Sequence, residues 1–340
     1  MDYRLLGKSG LRVSELALGT MTFGEDWGWG ANKDESRKMF DSFVAAGGNF
    51  IDTADGYTGG TSERMVGEFI AQDRERFVVA TKFSFNGKPG DPNAGGNHRK
   101  RMVEALNGCL KRLKVDYVDL YWVHAWDELT PVEEVMRGLD DLVRAGKILY
   151  TGISDAPAWW ISRANTIAEL RGWSPFAGLQ VEYNLVERTV ERELLPMARA
   201  LGLGVTAWSP LASGLLSGKY LPGSTEEKRL EKAPSFEKLS ERNLAISSTV
   251  VEVAREVGRS PAQVALNWLR AKSGVIPILG ARKLSQFEDN LRCAEWSLQP
   301  QQVTHLDAAS HIELGFPTDF LHRKEVRDFL HGGLFDRIHP

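Results

Sequence analysis

Short, nearly unbroken apolar runs alternate along this chain with longer segments whose apolar residues recur every three to four positions. The runs are "LALGTM" (16–21), "NFID" (49–52), "FVVATK" (77–82), "YVDLYWVH" (117–124), "KILYTGIS" (147–154), "AGLQVEYN" (177–184), "LGVTAWS" (203–209) and "GVIPILG" (274–280). Runs without polar alternation suit parallel strands covered on both faces. The segments between them carry helix signatures. Met102, Ala105, Leu106, Cys109, Leu110 and Leu113 form one apolar stripe, and Val132, Val135, Met136, Leu139, Leu142 and Val143 form another. Thr130-Pro131-Val132-Glu133 reads as an N-cap, a first-turn proline and a capping-box acid, and Ser260-Pro261-Ala262-Gln263 repeats that start. A β-hairpin is expected ahead of the first run, over residues 3–6 and 11–13.

Eight strand–helix units predict an α/β chain closed into a (β/α)8 TIM barrel, with the N-terminal hairpin outside the repeat. A doubly wound sheet would want a G-x-G-x-x-G turn after its first strand, and "TFGEDWGWG" does not supply one. The non-periodic segments 86–97, 213–239 and beyond 310 are expected as loops over the active face and as extra helices or loops near the C-terminus. No boundary signal interrupts residues 1–340, so a single domain is expected.

Composition narrows the partners. With 42% hydrophobic and 26% charged residues and a net charge of −3, the chain can bury a core and offers no basic surface to nucleic acid or anionic membrane. The one basic cluster, His98-Arg99-Lys100-Arg101, reads as the solvated start of a helix. "MDYRLLGKSG" lacks an apolar leader, and no run approaches the ~18 apolar residues of a membrane span. Cys109 and Cys293 give neither a disulfide framework nor a metal-ligand spacing. A cytoplasmic protein is expected.

Active groups of such barrels sit at the C-terminal ends of strands. Those ends read Asp52, Lys82 and His124, with Tyr57 in the glycine-rich turn "DGYTGG". Singly, the aspartate reads as a turn former, the tyrosine as a surface lid and the lysine as a salt-bridge partner. Jointly they fit proton donation to a carbonyl oxygen. A tyrosine with the ordinary pKa of about 10 is a weak acid at neutrality. A neighbouring ammonium lowers that value, and a buried carboxylate keeps the ammonium charged. His124 can then hold the substrate oxygen by a hydrogen bond.

"DTADGY", "ATK" and "LYWVH" together resemble the tetrad motifs of the aldo-keto reductase superfamily, and the likeness runs from "LGKSGLRVSELALGTMTFG" to "IPILGARKLSQFEDN". The chain looks most like the bacterial branch that also resembles the potassium-channel β-subunits. The resemblance implies that Tyr57 is the acid, that Asp52 and Lys82 tune it, and that His124 orients the carbonyl. It also implies NADPH lying extended across the barrel mouth. Gly19, Thr20 and Met21 at the first strand end would touch it. Ser154 and Asp155 of "GISDA", with Gln180, would meet the nicotinamide carboxamide. Asp155 departs from the usual asparagine and cannot donate to an amide oxygen unless protonated. Trp208 would stack on the nicotinamide. Backbone amides around Ser209, Leu211 and Leu215, in the segment that includes Pro210, would hold the pyrophosphate together with Lys219. "SGKY" is no P-loop, because Tyr220 follows Lys219. Gly280 and Ala281 would approach the adenosine, Arg282 a 2′-phosphate, and Gln286 with Asn290 the adenine.

Trp27, Trp29 and Trp126 follow strand ends and either wall a pocket for aromatic or apolar carbonyl substrates or cover the rim. Trp268, on a stripe with Ala265 and Leu269, reads as core. The resulting expectation is an NADPH-dependent aldehyde or ketone reductase acting on a small-molecule carbonyl, with alcohol oxidation as the reverse. Homo-oligomer formation is a habit of the branch it resembles. Two alternatives stand beside it: an NADP(H)-binding regulatory subunit with little turnover, and a metal-dependent hydrolase using His124. The second is short of ligands, since His98, His305, His311, His322, His331 and His339 fall away from the strand ends.

Overall fold

The computed structural model describes residues 1–221 and 239–338. Within them, eight parallel strands close into a barrel in the order β10-β3-β4-β5-β6-β7-β8-β9. They are β3 (Ala17–Gly19), β4 (Phe50–Asp52), β5 (Val78–Phe83), β6 (Val118–Val123), β7 (Ile148–Ser154), β8 (Phe176–Glu182), β9 (Gly204–Trp208) and β10 (Val275–Leu279). Each apolar run of the sequence yields one of them. The strands are buried almost throughout, which is why the runs lack polar alternation. The (β/α)8 expectation holds.

The preceding hairpin pairs β1 (Tyr3–Leu5) with β2 (Arg12–Ser14). Its backbone bonds to residues just ahead of two barrel strands: Lys8 N donates to Gly202 O at 2.8 Å, and Ser14 N donates to Asn49 Oδ1 at 2.7 Å. Leu6 and Val13 join Phe50, Leu120, Trp122 and Ile276 in one apolar cluster. The hairpin therefore stops the N-terminal end of the barrel, and the opposite mouth is left for chemistry. Trp122 is fully buried and sets its neighbours' size: a Cβ on Gly152 would lie 2.2 Å from its ring, and one on Gly178 would lie 2.8 Å away.

Helices cover the outside. On α3 (Arg99–Leu113) the whole apolar stripe from Met102 to Leu113 is buried, Cys109 included. On α4 (Val132–Arg144), Val132, Val135, Met136 and Leu139 are buried, while Leu142 and Val143 are partly covered. Ser260 caps α8 (Pro261–Arg270) by accepting from Gln263 N, as its start signal predicts. The start of α4 differs. Pro131 occupies the cap position with no side-chain cap, because the Thr130 hydroxyl instead donates to Asp127 Oδ2 at 2.6 Å.

Beyond residue 310 the described residues form two short α-helices, Thr318–Leu321 and Lys324–His331, and a 3-10 turn, Phe335–Arg337, with no buried residue in any of them. Ala212–Ser217 is a 3-10 helix, and residues 222–238 of the expected 213–239 loop lie outside the described residues. Among the described residues, no helix is long and apolar enough to cross a membrane.

Candidate active site

Strand register gathers the four predicted groups at one mouth. Asp52 ends β4 opposite Ala80 of β5, and Lys82 lies two residues further along the same face. His124 follows the last residue of β6, and its amide donates to Phe83 O at 2.9 Å. Tyr57 enters from the turn that precedes α2 (Thr61–Ile70). That turn needs left-handed backbone at Thr58, Gly59 and Gly60 (φ 46°, 61° and 84°), which explains the glycine pair. The strain at Thr58 is offset locally: its hydroxyl donates to Phe23 O at 2.7 Å and accepts from Ser62 N at 3.1 Å.

Lys82 is the hub. Its Nζ donates to Asp52 Oδ2 at 2.5 Å, Thr53 O at 2.9 Å and the Tyr57 hydroxyl at 3.0 Å. Three donors thus meet three acceptors, so a fully buried ammonium is satisfied. Gln180 Nε2 donates to the other carboxylate oxygen, Asp52 Oδ1, at 2.9 Å. The His124 ring stands edge-on to Tyr57 at 6.0 Å, and Phe85 packs on His124 at 4.4 Å.

Electrostatics correct one expectation. Burial would depress Lys82, but Asp52 and then Tyr57 outweigh it and hold the ammonium above its usual range. For Tyr57, burial pushes the phenol up; Lys82 pulls it down without overcoming the burial. The phenol is therefore raised rather than lowered, and it carries its proton at neutrality. Burial, then the charge of Lys82, pushes His124 well below the usual histidine range, so the imidazole is neutral. Such a site can hydrogen-bond a neutral carbonyl and offer it a proton, with an ammonium already in place for the phenolate that donation leaves behind.

A cleft of about 1360 Å³ runs from this group across the barrel mouth. Asp52, Tyr57 and His124 line it, and Lys82 lies beneath Tyr57. Most of the expected nucleotide contacts line it as well: Gly19, Thr20, Met21, Ser154, Asp155, Gln180, Trp208, Ser209, Pro210, Leu211, Lys219, Gly280, Ala281, Arg282, Gln286 and Asn290. Leu215 does not. It is fully buried in the core, with its carbonyl accepting from Ser247 Oγ at 2.8 Å. Thr20 is committed as a brace, donating to Asp52 O at 3.0 Å and sharing a 2.7 Å hydrogen bond with Ser62.

Asp155 sits in left-handed backbone (φ 43°), a conformation that aspartate and asparagine tolerate better than most side chains. Its Oδ1 accepts from Trp208 Nε1 at 3.2 Å, and burial raises its carboxyl. Beside it the Ser154 hydroxyl is buried with no hydrogen-bond partner of good geometry among the described residues. Its polar neighbour there is the Asp155 carboxylate, so the hydroxyl, next to an indole in the cleft, is available to a polar planar ligand group at this point. Further along, Ser209, Ala212, Ser213 and Gly214 all have positive φ, and the turn closes on itself, with Ala212 N donating to Ser209 O and Gly214 N to Leu211 O. Lys219 packs against it so closely that a Cβ on Gly214 would lie 2.6 Å from Nζ.

The three candidate substrate tryptophans separate. Trp27 lines the cleft; Trp29 packs against it at 5.6 Å from behind. Trp126 lines a neighbouring hollow instead and meets Trp159 edge-on at 5.7 Å. Trp268 is core, as expected, and donates to Asp307 Oδ1 at 2.9 Å. Sequence reasoning missed Phe85, Asp55 and Arg101, all of which line the cleft. Arg101 belongs to the basic run read as solvated, yet its guanidinium is paired with Asp55 and only 12% exposed. Among the described residues, no group of three or more His, Cys, Asp or Glu is arranged to hold a metal ion; His339 lies outside them.

Residues 15–311 match the model of the aldo/keto reductase family. The chain is 36% identical over 332 residues to an aryl-alcohol dehydrogenase [NADP(+)] of Phanerodontia chrysosporium, covering 91% of this chain and 85% of the relative. It is 35% identical over 339 residues to a norsolorinic acid reductase of Aspergillus flavus, covering 96% and 86%. An aldo-keto reductase of Aspergillus calidoustus shares 35% identity over 334 residues, covering 94% and 84%. The chain belongs to the aldo/keto reductase family and is an oxidoreductase.

Proposed function

We propose that this chain reduces aldehydes or ketones to alcohols with NADPH, and that Tyr57 is the general acid. The observation that carries the reading is the chain of contacts Asp52–Lys82–Tyr57, with Nζ 2.5 Å from the carboxylate and 3.0 Å from the phenol, on the floor of an elongated cleft. Lys82 needs Asp52 to stay charged when buried, and the phenolate that proton donation would create needs Lys82. His124, kept neutral, would orient the carbonyl oxygen toward the Tyr57 proton.

NADPH, when bound, supplies the hydride. For this cofactor, Ser154, Asp155 and Gln180 would hold the carboxamide, Trp208 would lie against the ring, and the positive-φ segment with Lys219 would take the pyrophosphate. Arg282 would favour a 2′-phosphate, since a planar guanidinium binds a dianion in two-pronged fashion. Asp155 can accept from the amide nitrogen, and its raised carboxyl retains a proton more readily than an exposed one. Trp27 and Phe85 would wall the acceptor pocket, which suits a substrate with an apolar or aromatic part.

Two relatives are named for reduction or dehydrogenation of particular compounds, and this supports an enzyme over a regulatory subunit of the channel-associated branch. Both cysteines are free and buried, which fits the reducing cytoplasm. The test is an NADPH fluorescence titration followed by single-turnover oxidation with a panel of small aldehydes. Binding followed by hydride transfer is expected. Binding without transfer to any aldehyde would favour the regulatory reading, and absence of binding would overturn the cofactor assignment.

A further inference from the structure

One side chain joins the turn that carries the expected proton donor to the loop after β5, whose Phe85 packs on the expected carbonyl orienter. Arg101, in the first turn of α3, pairs through Nη2 with Asp55 Oδ2, and the same nitrogen donates to Phe85 O at 3.1 Å. Asp55 belongs to the turn that presents Tyr57, and its own amide donates to Lys82 O at 3.1 Å. Phe85 packs on the His124 ring at 4.4 Å. The pair is enclosed, with side-chain exposures of 12% for Arg101 and 6% for Asp55. All three residues line the cleft.

We propose that Arg101 and Asp55 form a clasp that fixes the Tyr57 turn against the Phe85–His124 wall, and that the clasp loosens when Asp55 takes up a proton. The proposal rests on the tyrosine-acid reading above. Neither side chain takes part in the Asp52–Lys82–Tyr57 hydrogen bonds; the two are positioning residues that act on the separation of the two walls.

The neighbours of Asp55 favour protonation within a useful range. Burial raises its carboxyl most, Arg101 opposes this, Glu63 of α2 adds to it, and Arg112 of α3 opposes again; the outcome is a value of about 6. Cys109 and Tyr121 also face its charge, but both are pushed well above their usual values and stay neutral. Below about pH 6 the clasp would lose its ion pair and keep at most a neutral hydrogen bond. The sign for stability is opposite to that for activity. A carboxyl raised from 3.8 to about 6 in the folded chain binds its proton more tightly there than when unfolded, so this group makes the fold more stable as pH falls through that window.

The test uses the full chain with NADPH and benzaldehyde in single turnover across pH 5 to 8, for wild type, Asp55→Asn, Arg101→Gln, Asp155→Asn and Tyr57→Phe. In wild type the rate is expected to fall on the acid side with a midpoint near 6. Asp55→Asn and Arg101→Gln should each slow transfer by about tenfold or more and flatten the acid limb, with the NADPH dissociation constant unchanged. Asp155→Asn should keep the limb. Full rates with an intact acid limb in both clasp variants would overturn the inference, as would a limb that vanishes only in Asp155→Asn. Transfer that survives in Tyr57→Phe would instead overturn the tyrosine-acid reading itself.

Discussion

Gln180 Nε2 donates to Asp52 Oδ1 at 2.9 Å, so a residue expected to serve the cofactor also holds the carboxylate that keeps Lys82 charged. The two roles are separable. A residue that only contacted the nicotinamide would, when lost, weaken NADPH binding and leave transfer in the bound complex intact. Gln180→Leu leaves a buried carboxylate oxygen without its donor, and the aspartate can then turn away from Lys82. The expected result is a fall of about 10- to 100-fold in the single-turnover rate at saturating NADPH, beyond any change in affinity.

Removing Lys82 should be costly in two measurements. Lys82→Met leaves Asp52, which is 3% exposed, without its counter-charge. Breaking a buried pair in this way costs about 3–5 kcal/mol of stability, read as a lower urea midpoint. Transfer should fall by about 10²- to 10⁴-fold, the usual contribution of a positioned proton donor.

The pH profile on the alkaline side reports the phenol–ammonium pair. Tyr57 and Lys82 are both raised from ordinary values of 10.0 and 10.5, so the donor keeps its proton until the pH rises through a range above those values. His124 is pushed well below 6.5 and is neutral throughout. With rising pH the rate should therefore show no histidine titration near neutrality and should decline only above about pH 10. A descending limb between pH 7 and 9 in single turnover would contradict this.

Arg282 is expected to discriminate between the phosphorylated and unphosphorylated dinucleotides. Charge-assisted hydrogen bonds contribute about 1.5–3 kcal/mol each, so Arg282→Gln should weaken NADPH binding by about 10- to 100-fold and leave NADH nearly unchanged. Parallel fluorescence titrations with the two nucleotides measure this directly.

Much of the barrel was legible from periodicity, because parallel strands buried on both faces leave a simple trace. What local pattern could not convey was competition for partners. Thr130 has the right chemistry for a cap, but Asp127 three residues earlier takes its hydroxyl. Arg101 looked solvated because its partner, Asp55, is 46 positions away in the chain. An acid beside the tyrosine in "DTADGY" was the available signal, since an enclosed carboxylate requires a counter-charge. The direction of the Tyr57 shift was hidden for a related reason: residue types reveal a neighbouring ammonium, whereas desolvation depends on the finished enclosure.

The central claim is that Tyr57 protonates a carbonyl while Lys82 and Asp52 support it, and one comparison addresses it directly. Single-turnover oxidation of bound NADPH by benzaldehyde should be measured for wild type and Tyr57→Phe, with NADPH affinity determined for both. Equal affinity with a rate lowered by about 10²-fold or more in Tyr57→Phe is the result expected of a general acid. Equal affinity with an unchanged rate would contradict the assignment and leave proton delivery to another group.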